Sequence, residues 1–294
     1  MIRRPTRDDG RHEVTGAARA KGTVGLQEAA AILGVHYMTV YRYVRTGRLA
    51  AEHDGATWRV RTGDLDTVRV GRGVDQPRGA ARTASAEHLL DRLVAGDEAG
   101  AWRVVEDALA SGAEPAEVHL TLLAPAMREV GRRWSRGELD VADEHLASAT
   151  TRRLIARLGP RFARPGRKRG TVLVGAVAGE RHEIPVAIVA DQLRGAGFHV
   201  IELGGDTPAD SFADAAERER PLCVLIAVTT AGHEAAVTDT VARLRERTDT
   251  IVLVGGAAVN DELAAHRLGS EHWTGRDARD VVALVERLRA QHRR

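Results

Sequence analysis

From residue 171 onward, short unbroken apolar runs alternate with helical stretches, and this pattern constrains the fold more than any other feature of the chain. Residues 171–176, 199–203, 223–228 and 250–254 read as strands. Residues 186–196, 208–218 and 233–247, and a segment from Asn260, read as helices between and after them. A strand that is apolar on both faces needs cover on both faces. Strands separated by helices therefore specify a doubly wound parallel α/β (Rossmann-like) sheet, whose ligands sit beyond the carboxyl ends of the strands.

The chain before residue 171 is of a different kind. Residues 85–163 are helical throughout, with apolar positions such as Leu89, Leu90 and Leu93, then Leu120, Leu123, Met127 and Val130, at helical spacing. Ser85, Asp97 and Asp140 are expected N-caps, and Pro115 opens a third helix. Four helices with short connections imply a four-helix bundle. Within residues 23–70, two short helices flank Gly34, and a weakly alternating stretch from Leu49 to Val60 suggests a hairpin wing. That order is a winged helix-turn-helix. Residues 1–22 lack periodicity and read as a disordered tail, 71–84 as a Gly/Pro/Arg linker, and 170–294 as the α/β domain. The chain is thus expected to be multidomain.

Charge follows the same division. Residues 1–85 hold 15 Lys and Arg against 9 Asp and Glu, and the remainder 28 against 32. A basic N-terminal part suits a nucleic-acid reader. Cys223, the single cysteine, excludes an internal disulfide and a Cys-based zinc site, and its apolar neighbours place it in a buried strand. No apolar run approaches the ~20 residues of a membrane span. The basic N-terminus lacks the apolar core of a signal peptide, so no membrane partner and a cytoplasmic location are expected.

The candidate chemistry lies in three places. The loop after the first parallel strand contains Glu180 and His182. His182 can be a nitrogen ligand to a metal, and Glu180 can accept a hydrogen bond from its other ring nitrogen. Taken alone, a solvated loop histidine is the more ordinary reading. Gly255-Gly256 follows the fourth strand and lets a bulky ligand reach the backbone, or simply makes a tight turn. Thr229-Thr230 end the third strand. In the helical block, Trp134 is followed by nine residues and then Glu144-His145. That spacing permits a flat aromatic and two polar groups on one surface, although a core tryptophan and a surface pair is the more ordinary reading.

In combination these residues resemble a cobalamin-binding module, a helical cap followed by a corrinoid domain with the signature Asp-x-His-x-x-Gly, Ser-x-Leu, Gly-Gly. Here it reads Glu180-x-His182-x-x-Pro185, Ala227-x-Thr229 and Gly255-Gly256. The first block is similar to the MerR/excisionase type of winged helix through Glu28-Ala29-Ala30, Leu33-Gly34-Val35, Thr39-Val40-Tyr41-Arg42, Gly47-Arg48-Leu49 and Trp58-Arg59-Val60. The whole resembles the CarH/LitR family of photoreceptor regulators. That resemblance implies adenosylcobalamin as cofactor, with His182 as the lower axial cobalt ligand. It puts Trp134, Glu144 and His145 around the upper adenosyl group, and Thr229, Thr230, Gly255 and Gly256 around the nucleotide tail. It also implies a tetramer on operator DNA that dissociates in light. Several departures from the pattern matter. Pro185 replaces a glycine, Ala227 replaces a serine, and Ser135 stands where relatives carry the histidine that takes cobalt after photolysis. His145 is the candidate substitute.

The implied function is a light-responsive repressor rather than an enzyme. Its DNA contacts are expected from Thr39, Arg42, Tyr43 and Arg45 of the second helix and from Arg59 and Arg61 of the wing. Two alternatives stay open on the sequence alone. One is a corrinoid carrier for a methyltransferase, and the other is a DNA-binding regulator that senses cobalamin level or another ligand without light.

Overall fold

The computed structural model describes residues 22–33, 37–45, 49–54, 57–65, 78–275 and 277–292. The expected tail, at residues 1–21, and residues 71–77 of the expected linker lie outside the described residues. The chain divides into two compact units, Met1–Arg78 and Gly79–Arg294.

The first unit contains β1 (Thr23–Gly25), α1 (Leu26–Leu33), α2 (Tyr37–Arg45), β2 (Ala51–Asp54) and β3 (Thr57–Arg61). Leu26, Ala29, Ala30 and Leu33 recur at i, i+3, i+4 and i+7, so α1 buries a single face. That face meets Val24, Val40, Leu49, Val60 and Leu65 in a separate small core. β2 and β3 form the expected antiparallel wing, in which His53 pairs with Trp58 and their rings meet edge-on at 4.3 Å. β1 adds a third strand on the other side of β3. Three residues carry too little alternation to be seen as a strand in sequence.

The second unit begins with the helical bundle. It comprises α3 (Arg78–Val94), α4 (Glu98–Ala110), α5 (Pro115–Val118) with a π-helical turn (His119–Leu123) running into α6 (Ala124–Ser135), and α7 (Val141–Leu158). The expected N-cap at Ser85 is corrected. The helix starts at Arg78, and Ser85 lies inside it. Ala80, Ala81 and Arg82 are strong helix formers and carry the helix upstream into the expected linker. Asp97 does cap α4, accepting the Gly100 N–H at 2.8 Å, and Asp140 forms a capping box with Asp143 on α7. Pro115 sits in the first turn of α5, where its missing N–H costs nothing. Leu89, Leu93, Val105, Leu123, Leu154 and Leu158 form the fully buried centre of the bundle.

A 3₁₀ turn (Gly159–Phe162) leads to the α/β part. Its elements are β4 (Thr171–Val177), α8 (Glu183–Gly195), β5 (His199–Thr207), α9 (Ala209–Glu219), β6 (Cys223–Ala227), α10 (Glu234–Arg247), β7 (Ile251–Gly255), α11 (Glu262–Arg267), β8 (His272–Trp273) and α12 (Ala278–His292). The five strands are parallel in the order β5-β4-β6-β7-β8. One face packs on α8 and α12 through Val172, Val174, Leu193, Phe198 and Leu284. The other packs on α9 and α10 through Leu173, Phe212, Ile226, Val237 and Leu244. This is the doubly wound parallel sheet read from the sequence. Cys223 is buried in β6, and burial pushes its thiol pKa up to about 12, so it is an inert core residue.

Most boundaries fall within a residue of expectation, and three features differ by more. α8 starts at Glu183, three residues early, because Pro185 falls in its first turn and fits there. β5 continues to Thr207, and its register against β4 slips twice between Val174 and Val177, opposite Gly204-Gly205. β8 is a two-residue edge strand, below the length at which an apolar run signals anything. The two parts of this unit share core. Ile188 of α8 and Ala278 of α12 belong to the same cluster as the bundle leucines.

Candidate functional site

The strand order puts a topological switch between β4 and β6, since the chain leaves β4 toward one edge of the sheet and returns through β6 toward the other. Ligands of such sheets bind in the crevice at that point. Two loops meet there, residues 178–182 after β4 and 228–233 after β6.

Glu180 ties them together. Its side chain is 1% exposed. Oε2 accepts the backbone N–H groups of Thr229 and Thr230, each at 2.9 Å, and the Thr230 hydroxyl at 3.1 Å. Oε1 accepts the His182 backbone N–H at 3.0 Å and lies 2.5 Å from His182 Nδ1. Burial alone would push this carboxyl pKa up. The hydrogen bonds from the His182 ring and from the backbone of Thr230, His182 and Thr229 outweigh it and hold the pKa at about 2. The group is therefore a fixed carboxylate. A carboxylate accepts, so Nδ1 carries the proton and Nε2 carries the ring's lone pair. The ring itself is half exposed, at 52%. The arrangement presents one oriented nitrogen donor at the mouth of the crevice.

Among the described residues, no group of three or more His, Cys, Asp and Glu side chains is placed to hold a bare metal ion. A single oriented imidazole fits a different case, a metal already held by a macrocycle that needs one axial ligand. Two further observations fit a bulky bound group. Thr229 Oγ1 is buried and has no partner among the described residues, and a buried hydroxyl in that state lacks a hydrogen bond that a ligand could supply. Gly255 and Gly256 leave no room for side chains. A Cβ on Gly256 would lie 2.3 Å from the Val228 carbonyl oxygen, and φ there is +121°. Gly256 is thus required by the backbone itself, while a Cβ on Gly255 would run into the Thr274 side chain, 1.6 Å from its Oγ1. Cobalamin, a macrocycle-held metal with a bulky tail, fits these residues.

Two residues of the site were not among the candidates read from sequence. Asp206, at φ +50°, accepts the Gly179 N–H on Oδ1 at 2.7 Å and donates its own N–H to the Glu180 carbonyl at 2.7 Å. It braces the His182 loop from β5. The Gly-Gly-Asp run that makes this turn was the available signal. His233 sits at the start of α10 with Nε2 3.1 Å from Thr230 Oγ1 and 4.0 Å from Glu180 Oε2. No sequence spacing announced it.

On the bundle, Trp134 is 50% exposed near the end of α6, so it is not a core tryptophan. Glu144 and His145 lie in the first turns of α7 with Oε2 and Nε2 3.7 Å apart, and Glu144 accepts the Ser148 hydroxyl at 2.6 Å. His145 is exposed. In the first unit, the side chains of Thr39, Arg42 and Arg45 lie outside the described residues, although all three positions fall on α2. Tyr43 is half-buried against the small core, where it supports α2 as much as it faces outward. Arg59 and Arg61 are exposed on β3, and Arg61 Nη2 lies 2.9 Å from Glu52 across the hairpin.

Comparison with known proteins bears on each part. Residues 85–158 and 170–283 each match a B12 binding domain family, and residues 24–68 match a helix-turn-helix domain family. The HTH-type transcriptional repressor CarH of Myxococcus xanthus is 33% identical over 220 residues, covering 71% of this chain and 72% of that protein. Trimethylamine corrinoid protein 1 of Methanosarcina acetivorans is 29% identical over 212 residues, covering 69% of this chain and 97% of that protein. The solved monomethylamine corrinoid protein of Methanosarcina barkeri shares the fold over 70% of this chain and 99% of that one, with a TM-score of 0.61 at 21% identity.

Proposed function

The chain belongs to the CarH-type family, which joins a helix-turn-helix domain to a two-part B12-binding module, and from that premise we propose that it is a light-responsive transcription repressor using adenosylcobalamin. The observation that carries this reading is that one chain holds both an oriented nitrogen donor, His182 fixed by Glu180, and a separate basic unit with helix-turn-helix and wing.

His182 would ligate the cobalt, and Glu180 keeps its tautomer. Thr229 and Thr230, with the bare backbone of Gly255 and Gly256, line the side that takes the nucleotide tail. Trp134, Glu144 and His145 would cover the bound group, with the exposed indole keeping water from its adenosyl part. Bound adenosylcobalamin supplies a light-sensitive cobalt–carbon bond. In the first unit, Thr39, Arg42 and Arg45 of α2 meet the major groove, and Arg59 and Arg61 meet phosphates from the wing. Such a small reading head contacts few base pairs, so operator binding depends on several heads held in one tetramer. Loss of the tetramer then releases DNA without altering any head. No catalytic step belongs to this chain in that scheme.

The test combines a visible spectrum with size exclusion, on protein loaded with adenosylcobalamin in the dark and then lit with green light. Retained corrinoid, a spectral shift and a fall in assembly size support the reading. A colourless protein sinks it. A shifted spectrum with unchanged assembly size removes the oligomer switch. Ser135 makes the lit spectrum informative, because a histidine-ligated product would have to draw on His145 or another ring.

A second reading has its own support. The corrinoid carrier relative is matched along nearly its full length. A carrier for methyl transfer would leave the helix-turn-helix unit without a role. Methyl transfer from a corrinoid methyltransferase to the loaded protein, with no DNA binding, would favour it.

A further inference from the structure

The second unit is net acidic, yet residues 161–170 hold Arg161, Arg164, Arg167, Lys168 and Arg169 and no acid. This strap links the bundle to β4. It runs along the amino ends of the strands, away from the crevice of His182. All but Arg169 are exposed. The strap is not loosely tethered. Arg164 donates to the Gly195 carbonyl, Lys168 Nζ to the Arg164 carbonyl at 2.7 Å, and Arg169 to the Ala196 carbonyl at 3.0 Å. Arg289 in turn donates to the Arg169 carbonyl at 2.7 Å.

Two cavities follow one another along it, of about 430 Å³ and about 410 Å³, and share Arg164, Gly195, Ala196 and Glu286. Arg167, Lys168 and Arg169 line the first, and Arg161 the second. Glu286 is held by Arg169 at 2.5 Å, and Glu114 stands at the far end of the second cavity. The positive charges therefore exceed the acids along the whole groove.

We propose that this groove is a second DNA-contacting surface, which holds the phosphate backbone of duplex DNA independently of base sequence. The inference rests on the regulator reading above. A row of exposed cations along a braced segment matches a linear polyanion, since phosphates recur along a strand and are met one after another. A single small anion would instead need donors free to converge on one point, and of the four cations that line the first cavity Arg164, Lys168 and Arg169 already donate to backbone carbonyls.

The test uses the full chain loaded with cobalamin and a 30-base-pair duplex of arbitrary sequence, with affinity measured by anisotropy over a series of KCl concentrations. Arg161→Glu/Arg167→Glu is compared with the parent. Both side chains are exposed, and corrinoid retention serves as the folding control. The expected result is a salt slope lower by about two and affinity weaker by roughly tenfold per lost contact at ~0.1 M salt. Arg161→Gln/Arg167→Gln should show a smaller change in the same direction. Parent and variant with the same slope and affinity would overturn the groove while leaving the regulator intact. A parent that binds no duplex at all overturns both. Inorganic phosphate bound at the groove, with duplex affinity unaffected by the variants, overturns it in favour of a small-anion site.

Discussion

Glu180 shows how much one side chain can organise. Its two oxygens hold three backbone N–H groups, a hydroxyl and an imidazole, and so fix two loops and one tautomer. Glu180→Gln keeps the volume but turns an amide NH₂ toward N–H groups, and corrinoid affinity should fall ~10–100-fold in a spectroscopic titration. His182→Ala should in addition remove the spectral signature of imidazole ligation, which Glu180→Gln retains. Equal affinity of Glu180→Gln and parent would show that the carboxylate does not tune the ligand.

His119 gives a second prediction at this scale. It is fully buried in the π turn, against the Phe162 ring, and neither ring nitrogen has a hydrogen-bond partner among the described residues. Burial lowers its pKa to about 4. Asp191, 3.9 Å away on α8, is raised by burial and held by Arg194. A histidine with a folded pKa below its unfolded 6.5 binds its proton more readily when unfolded, so stability is lost as pH falls from about 6.5 to about 4. Between pH 7 and pH 5 this amounts to about 2 kcal/mol, at ~1.4 kcal/mol per pKa unit. Asp191, raised, acts in the opposite sense nearer its own ordinary range. Thermal melts should show the pH 5 loss in the parent and much less of it in His119→Leu. The same loss in both would assign the effect elsewhere.

At the scale of elements, the sequence was most legible where a helix or strand was long and buried. The four long strands and the bundle helices follow from apolar spacing, and the caps at Asp97 and Asp140 from residue type. What escaped was short or terminal. β1 and β8 are three and two residues long and owe their strand state to a neighbour's hydrogen bonds, as Val24 does to Val60. Ser85 misled because a good cap residue is also tolerated inside a helix whose preceding turn favours it. The β7–α11 turn offers a test. Gly256→Ala would set a Cβ against the Val228 carbonyl at a φ of +121°. A cost of about 1–3 kcal/mol is expected in chemical denaturation. Asp140→Ala, which breaks a capping box on the exposed end of α7, should cost only ~1 kcal/mol. A larger loss from Asp140→Ala than from Gly256→Ala would reverse that order.

At the scale of the whole molecule, two units with separate cores make separate predictions. Calorimetry should resolve two transitions, with cobalamin shifting only that of the second unit. At a hundredfold excess over Kd the shift corresponds to about 2.7 kcal/mol. A single transition that moves as one with cobalamin would mean that the units unfold together. By itself, the sequence determined the classes of the parts, because burial has a period that residue types display, and it named His182, Glu180 and the glycine pair by type and order. Only the tertiary structure decided what those residues do to each other. Glu180 meets Thr229 and Thr230 across about fifty positions of chain, and Asp206 reaches back to Gly179 from the next strand. Those meetings are set by strand order at the switch between β4 and β6. Parallel pairing of distant segments leaves no local trace, and so the oriented imidazole could be suspected from the sequence but took its geometry from the sheet.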